Sequence, residues 1–248
     1  MKILIVGASG ATGRLLVRQL LDRGETVRAI VRSAEGLPGE VRNHEQLEVV
    51  VASLLDLSPD ELQQQVAGCD AVASCLGHNL SWKGIFGRPR RLVTEAVRRL
   101  RLAVEQRESD APVRFLLMNT TGNRDRDLGE SRSAGERIVL FLLRLLLPPH
   151  ADNEDAAEVL RSEVGQEHRR IGWVVVRPDG LTDETNESPC DIVESPVRSP
   201  IFNPGKTSRI NVANFMARLA TEDEPWKEWK GRMPVIYNRI EDDHQAGS

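Results

Sequence analysis

Three glycines at a spacing of three, Gly7, Gly10 and Gly13, follow directly on Lys2-Ile3-Leu4-Ile5-Val6, with the small residues Ala8, Ser9, Ala11 and Thr12 between them. Residues of this type let a backbone turn tightly and approach a ligand closely. The apolar run before them has the character of a strand buried on both faces of a parallel sheet. After them Leu15, Leu16, Leu20 and Leu21 fall on one side of a helix, with Arg14, Arg18, Asp22 and Arg23 on the other. Strand, glycine turn and helix together are suited to phosphate chemistry. A pyrophosphate can sit on the free N–H groups of a helix N-terminus, where the helix dipole favours negative charge.

A second group refines that reading. The strand Thr26–Val31 ends at Arg32-Ser33, nineteen residues beyond Gly13. A site that binds a ribose 2′-hydroxyl places Asp or Glu near here. A guanidinium suits a 2′-phosphate instead, through bidentate and charge-assisted bonds, so the expected cofactor is NADP(H). Arg14 and Arg28 are further candidates for the same phosphate. Leu76 and Gly77 follow a strand over Cys69–Cys75, and the glycine allows close approach to the cofactor's middle ribose. His150 stands beside Asp152 and Asn153 at a helix start, and an imidazole of ordinary pKa, about 6.5, can donate a proton near neutrality. Trp82 and Phe86, in the loop from His78 to Arg88, either wall a substrate pocket or anchor the loop to its own domain.

The elements that position these residues alternate regularly. Gly24 ends the first helix, and Gln46–Val51 reads as the third strand. Ser58 caps a helix that has proline at its first position and ends near Gly68. A longer helix runs from Pro89 to about Gln106. Val93, Ala96, Val97, Leu100 and Val104 are its core stripe, and Arg91, Arg98, Arg99 and Arg101 lie mostly on a solvated face. Val113–Met118 is the fifth strand. Ser133–Leu147 is a strongly apolar helix that covers the sheet or forms a dimer face. Asp152–Ser162 is a second helix, and Gly172–Val176 is the sixth strand. This alternation predicts an α/β fold, a doubly wound parallel sheet in one domain. The core spans 1–177, a small C-terminal lid and cap on the substrate side spans 178–240, and a flexible tail spans 241–248. The stretch 181–206 is long for a plain connection and reads as a lid. Asn211 caps a helix through Thr221, Trp226 and Trp229 staple the C-terminal segment, and Pro234–Tyr237 adds a last strand.

Composition bounds the function. A net charge of −4 over 248 residues argues against a general nucleic-acid binder. Cys69, Cys75 and Cys190 form neither a metal spacing nor an even disulfide set, which points to a reducing compartment and no metal. The apolar run Ile138–Leu147 is too short to span a bilayer, and no signal peptide is visible. The expectation is a soluble cytoplasmic protein, monomer or homodimer. It has a small-molecule substrate lined by Trp82, Phe86 and the 181–206 loop, and neither nucleic acid nor membrane as a partner.

The motifs G-A-S-G-A-T-G, V-R-A-I-V-R-S, C-L-G, M-N-T-T-G and V-V-V-R-P-D-G run through nearly the whole chain. Together they resemble the atypical short-chain dehydrogenases/reductases (SDR), NAD(P)-binding proteins of the NmrA-like and biliverdin/flavin reductase-like kinds. The resemblance implies a Rossmann fold and hydride transfer from nicotinamide C4 to a small flavin-, quinone- or enone-like acceptor. It also implies that Ser53 and Leu54 contact the adenine, and that Thr120 and Pro178 lie near the nicotinamide. Thr121 is then the hydroxyl that faces the substrate. The Tyr-x-x-x-Lys pair common in SDR enzymes is absent, and the single tyrosine is Tyr237. Aligning Ala157-Glu158 with the Ala-Glu pair of that helix puts His150 in the tyrosine's place and Glu154 in the lysine's. Whether the protein turns over is left open. One alternative is an NmrA-like protein that reports NADP(H) redox state, and another is a sugar-nucleotide epimerase or dehydratase-like extended SDR, which the missing tyrosine disfavours.

Overall fold

The computed structural model describes residues 1–78, 89–130 and 133–239. Its strands are β1 Lys2–Val6, β2 Thr26–Val31, β3 Leu47–Val51, β4 Ala71–Ser74, β5 Val113–Met118, β6 Ile171–Pro178, β7 Gly180–Thr182, β8 Cys190–Val193, β9 Lys206–Ser208 and β10 Val235–Asn238. Its helices are α1 Ala11–Asp22, α2 Gly39–Arg42, α3 Pro59–Val66, α4 Leu92–Gln106, α5 Ala134–Leu146, α6 Pro148–Glu158, α7 Arg209–Thr221 and α8 Asp223–Trp229. A π-helical turn, Val159–Val164, continues α6.

The main sheet has the order β3-β2-β1-β4-β5-β6-β10-β8 and is parallel except for β8, which runs antiparallel to β10. The reversal of strand order beside β1 makes the doubly wound crevice in which such sheets bind ligands. Successive residues of β1 feed opposite layers. Ile3 and Ile5 pack toward the layer of Leu16, Leu20, Phe215 and Met216, from α1 and α7. Leu4 and Val6 pack toward Leu62, Leu100 and Ala156, from α3, α4 and α6. A strand apolar at every position is therefore satisfied on both faces.

Local signals set most of the element ends. Ser58 and Glu61 form a reciprocal capping box on α3, with Pro59 in its first turn. Ser133 and Glu136 do the same for α5. The cap of α7 is Ser208, whose hydroxyl accepts the Asn211 N–H. Asn211 instead bridges Ser188 and Asn238, because both are brought to its side chain by strands distant in sequence. Trp229 is buried, and the Arg114 guanidinium lies 5.3 Å from the ring centre of Trp226.

Three expectations change. The 181–206 stretch is not a simple lid, since β7 pairs with β9 and β8 becomes an edge strand of the main sheet. The helix carrying His150 begins at Pro148, not Asp152, because proline suits a first turn that needs no N–H there. Helix α5 does not cover the sheet. It buries Leu140 and Glu136, while Ile138, Phe141, Leu142, Leu145 and Leu146 are 45 to 69% exposed. Trp82, Phe86 and the 241–248 tail lie outside the described residues. No helix among the described residues is long and apolar enough to cross a membrane.

Candidate active site

The glycine turn is shaped by backbone crowding. Gly7 has φ +76°, and a Cβ there would lie 2.6 Å from the carbonyl carbon of Cys75. At Gly13 a Cβ would overlap the Gly7 carbonyl and come within 3.0 Å of the Ala8 Cα, so only glycine lets α1 sit against this turn. Gly10 donates its N–H to the Gly7 carbonyl at 3.0 Å and is the N-cap of α1, with no side chain among the described residues bonded to the helix's first N–H groups and no acid in its first turn. These groups remain available to an anion.

Above this turn opens a cleft of about 600 Å³. Of the residues expected to hold the cofactor, Gly7, Ser9, Gly10, Arg32, Ser53, Leu54, Leu76 and Gly77 line it. Ala11 is exposed on the first turn of α1, whereas Thr12 and Gly13 are buried behind it. Ser33 caps the short turn after β2 by accepting the Glu35 N–H. Thr120 and Pro178 stand at the ends of β5 and β6, outside the lining. Among the described residues Arg32 is the one cation lining the cleft. Arg28 is otherwise engaged, with its Nε 2.8 Å from Glu48 and its fork donating to the carbonyls of Gln64 and Gln65. Asp56, unmarked in the sequence reading, adds a carboxylate to the wall. Burial pushes the Cys75 thiol up to about 12, so it offers no thiolate near neutrality.

At the carboxyl ends of β5 and β6 the structure assembles a second corner. Thr121 is 1% exposed and its hydroxyl donates to Asp179 Oδ1 at 3.1 Å. The other oxygen of Asp179 accepts the Gly205 N–H at 2.8 Å. Thr121 thus knits β5 to β6 and to the residue before β9, through a hydroxyl that is almost wholly buried. Thr120 is only half-buried, and its hydroxyl accepts the Gly122 N–H. The side-chain amides of Asn119 and Asn123 both donate to the Asn153 carbonyl at 2.9 Å, tying this loop to α6. That docking brings His150 over the loop: a Cβ on Gly122 would lie 3.0 Å from His150 Cε1. Nε2 of His150 is 3.5 Å from Glu154, which also pairs with Arg144.

Several participants were not legible from the sequence. Asp152 is buried in α6, yet it accepts the Val93 and Thr94 N–H groups of α4 and contacts His78 Nε2, all within 2.9 Å. Burial pushes this carboxyl up, but the bonds from His78, Thr94 and Val93 outweigh it and hold the group below the usual carboxylate range. Arg177 is fully buried, forked onto both oxygens of Glu130 at 2.8 and 3.1 Å, and also donates to the Asn123 and Glu194 carbonyls. Tyr237 packs its ring on Gly205 beside Asp179, brought there because Ile236 pairs with Pro178. Burial, reinforced by Asp179, pushes the phenol up, so it stays protonated. No spacing rule marks any of these, because each partner is at least seventeen residues away.

The model of a family described as NAD(P)H-binding matches residues 7–223. The fold is similar to that of an oxidoreductase from Lactococcus lactis, with TM-score 0.68 and 20% identity over 96% of this chain and 91% of that one. It is likewise similar to a short-chain dehydrogenase/reductase from Veillonella parvula solved in complex with NADP, with TM-score 0.66 and 18% identity over 96% and 94% of the two chains. A candidate NADH-flavin reductase from Streptococcus pneumoniae gives TM-score 0.63 and 18% identity over 96% and 100%. A stretch of 72 residues, 29% of this chain, is 38% identical to an uncharacterized chloroplastic protein of Arabidopsis thaliana. The match spans a quarter of that relative's length. At these identities the solved structures establish the fold.

Proposed function

The chain belongs to the NAD(P)H-binding family, and from that premise we propose that it is an NADPH-dependent reductase acting on a small flavin-, quinone- or enone-like acceptor. The observation that carries the cofactor choice is Arg32, the cation that lines the cleft where an NAD site keeps a carboxylate. The cradle fits a dinucleotide because Gly7 and Gly13 leave no room for a Cβ and the first turn of α1 keeps its N–H groups open. Gly10 and that turn bind the pyrophosphate, Arg32 and Ser33 the 2′-phosphate, and Ser53, Leu54 and Asp56 border the adenine. Gly77 admits the middle ribose, and Thr120 and Pro178 flank the nicotinamide end. When bound, the dinucleotide supplies hydride from its nicotinamide C4. His150, lying over Gly122, holds the proton that the reduced acceptor takes up.

Replacing Arg32 with Asp weakens NADPH by about 2 kcal/mol, roughly thirtyfold, and spares NADH. Fluorescence titration with both dinucleotides reads this directly. Equal loss for both, or for neither, overturns Arg32 as the phosphate reader. Turnover is tested by NADPH oxidation with a panel of quinones and flavins.

One observation favours a second reading, a protein that binds NADP(H) and reports its redox state without turnover. The Thr121 hydroxyl is committed to Asp179, and the Tyr-x-x-x-Lys pair is absent. Tight NADPH binding with no oxidation across the panel would select this reading.

A further inference from the structure

Helix α5 carries its apolar residues at 138, 141, 142, 145 and 146, the i, i+3, i+4, i+7, i+8 spacing of a stripe made to be buried. In this fold that stripe faces outward. The helix is nonetheless firmly built. The Ser133–Glu136 box caps its start, Leu140 seats its inner side, and Arg144 ties its end to Glu154 and Asp155 of α6. Its outward face is thus a fixed surface and not the by-product of a loosely attached segment.

Exposed apolar side chains are concentrated here. Of the eleven large ones found among the described residues, five are this stripe and three more, Phe202, Leu128 and Val197, surround its N-terminal end. The Phe202 ring lies 3.6 Å from where a Cβ of Gly135 would stand, which makes it continuous with the helix. Leu128 and Val197 line one hollow together with Glu136. A scattered distribution would need no explanation, but a contiguous patch of this kind marks an interaction site.

We propose that this face is the seat of a second copy of the chain, with α5 packing against its symmetry mate about a two-fold axis. Two observations select that occupant. The first is area. At about 200 Å² for a fully exposed large apolar side chain, the five stripe residues expose roughly 600 Å². With Phe202 the patch approaches the ~800 Å² per partner of a stable interface. The second is geometry, since a helical stripe of this spacing is self-complementary and an isologous contact needs one patch that fits itself. At the rim Arg144 pairs with Glu154 and Asp155, Arg126 with Glu158, and Arg161 with Glu158 and Asp127, whereas Arg137 and Arg198 have no ion pair among the described residues, so an anionic lipid surface is the competing occupant. The pairing would also brace the segment between Thr120 and His150, because α5 joins the loop after β5 to α6.

Sedimentation velocity of the full chain tests this at tens of micromolar in detergent-free buffer. The expected result is a discrete dimer. Phe141→Glu and Leu145→Glu should each raise the dissociation constant at least about a hundredfold. Leu145→Ala, which keeps the helix propensity, should raise it about tenfold, and this holds the test open if a charged variant fails to fold. A wild-type monomer under these conditions overturns the proposal, as does an open series of oligomers or a dimer that survives both charged variants. Co-sedimentation with phosphatidylglycerol-containing vesicles in place of self-association overturns it in favour of a lipid surface.

Discussion

The glycine turn separates into residues needed for the fold and residues needed for the ligand, and alanine substitutions can tell them apart. At Gly13 an added Cβ overlaps the Gly7 carbonyl and stands 2.9 Å from its carbon and 3.0 Å from the Ala8 Cα. All three atoms are backbone, so no side chain can swing aside, and α1 must move off the sheet. That places the cost at the upper end for overpacking, about 3 kcal/mol. For a chain of this size it lowers Tm by roughly 9 °C. At Gly10 the backbone has φ −72°, which alanine adopts freely, and the nearest atom to a Cβ is the Gly7 oxygen at 3.1 Å. Loss of a favourable N-cap residue is nearly offset by a less flexible unfolded chain, so stability changes by less than about 0.5 kcal/mol. The added methyl lines the cleft and holds a pyrophosphate off the first N–H groups of α1, which weakens the dinucleotide at least about tenfold. Thermal unfolding of the free protein and fluorescence titration with NADPH read the two effects separately. Gly13→Ala melting with the wild type would refute the close-packing account. Gly10→Ala melting as low as Gly13→Ala would refute the division of roles.

Asp152→Ala leaves the buried Val93 and Thr94 N–H groups without their acceptor, at about 1–3 kcal/mol each, so chemical denaturation should show a loss of about 4 kcal/mol. Because the Asp152 carboxyl is held below its usual range, its contribution is fully present above the unfolded pKa, about 4, and is lost as pH falls through the folded value. A gap between wild type and variant that widens on acidification would contradict this assignment. Glu130→Ala strands the fully buried Arg177 and should cost about 3–5 kcal/mol by urea titration, whereas a loss under about 1 kcal/mol would mean that the guanidinium finds water or another partner.

What the sequence disclosed was what short spacings encode. β1, β2 and β5 have the expected bounds because each is a short, mainly apolar run with a break in pattern at its ends: Gly7 after β1, Glu25 and Arg32 around β2, Pro112 and Asn119 around β5. Gly7, Gly10 and Arg32 converge on one cleft because a strand–turn–helix unit fixes their relation within thirty residues. The failures share one cause. Ser208 caps α7 in place of Asn211 because Asn211 is claimed by Ser188 and Asn238. The 181–206 stretch contains strands because β10 supplies an edge for β8 to join. The Thr121 hydroxyl donates to Asp179, a partner fifty-eight residues on. Asp152 looked like a local neighbour of His150 and proved to be the anchor of a different helix. A pattern read along the chain carries no information about a competitor that folding brings from elsewhere.

The two halves of the site therefore differ in what divergence can do to them. The cradle is built from backbone: at Gly7 and Gly13 no other residue fits, and the groups offered to an anion are N–H groups common to every residue type. Such a cradle tolerates change in the side chains around it. The corner at Thr120, Thr121, His150 and Asp179 is built from side chains on different elements, held by pairings such as Asn119 and Asn123 on Asn153. Either member of such a pair can be exchanged once the other has changed, and this chain carries no Tyr-x-x-x-Lys pair. Relatives can thus identify the cradle and its class of ligand, whereas the reaction has to be established from this chain's own residues at that corner.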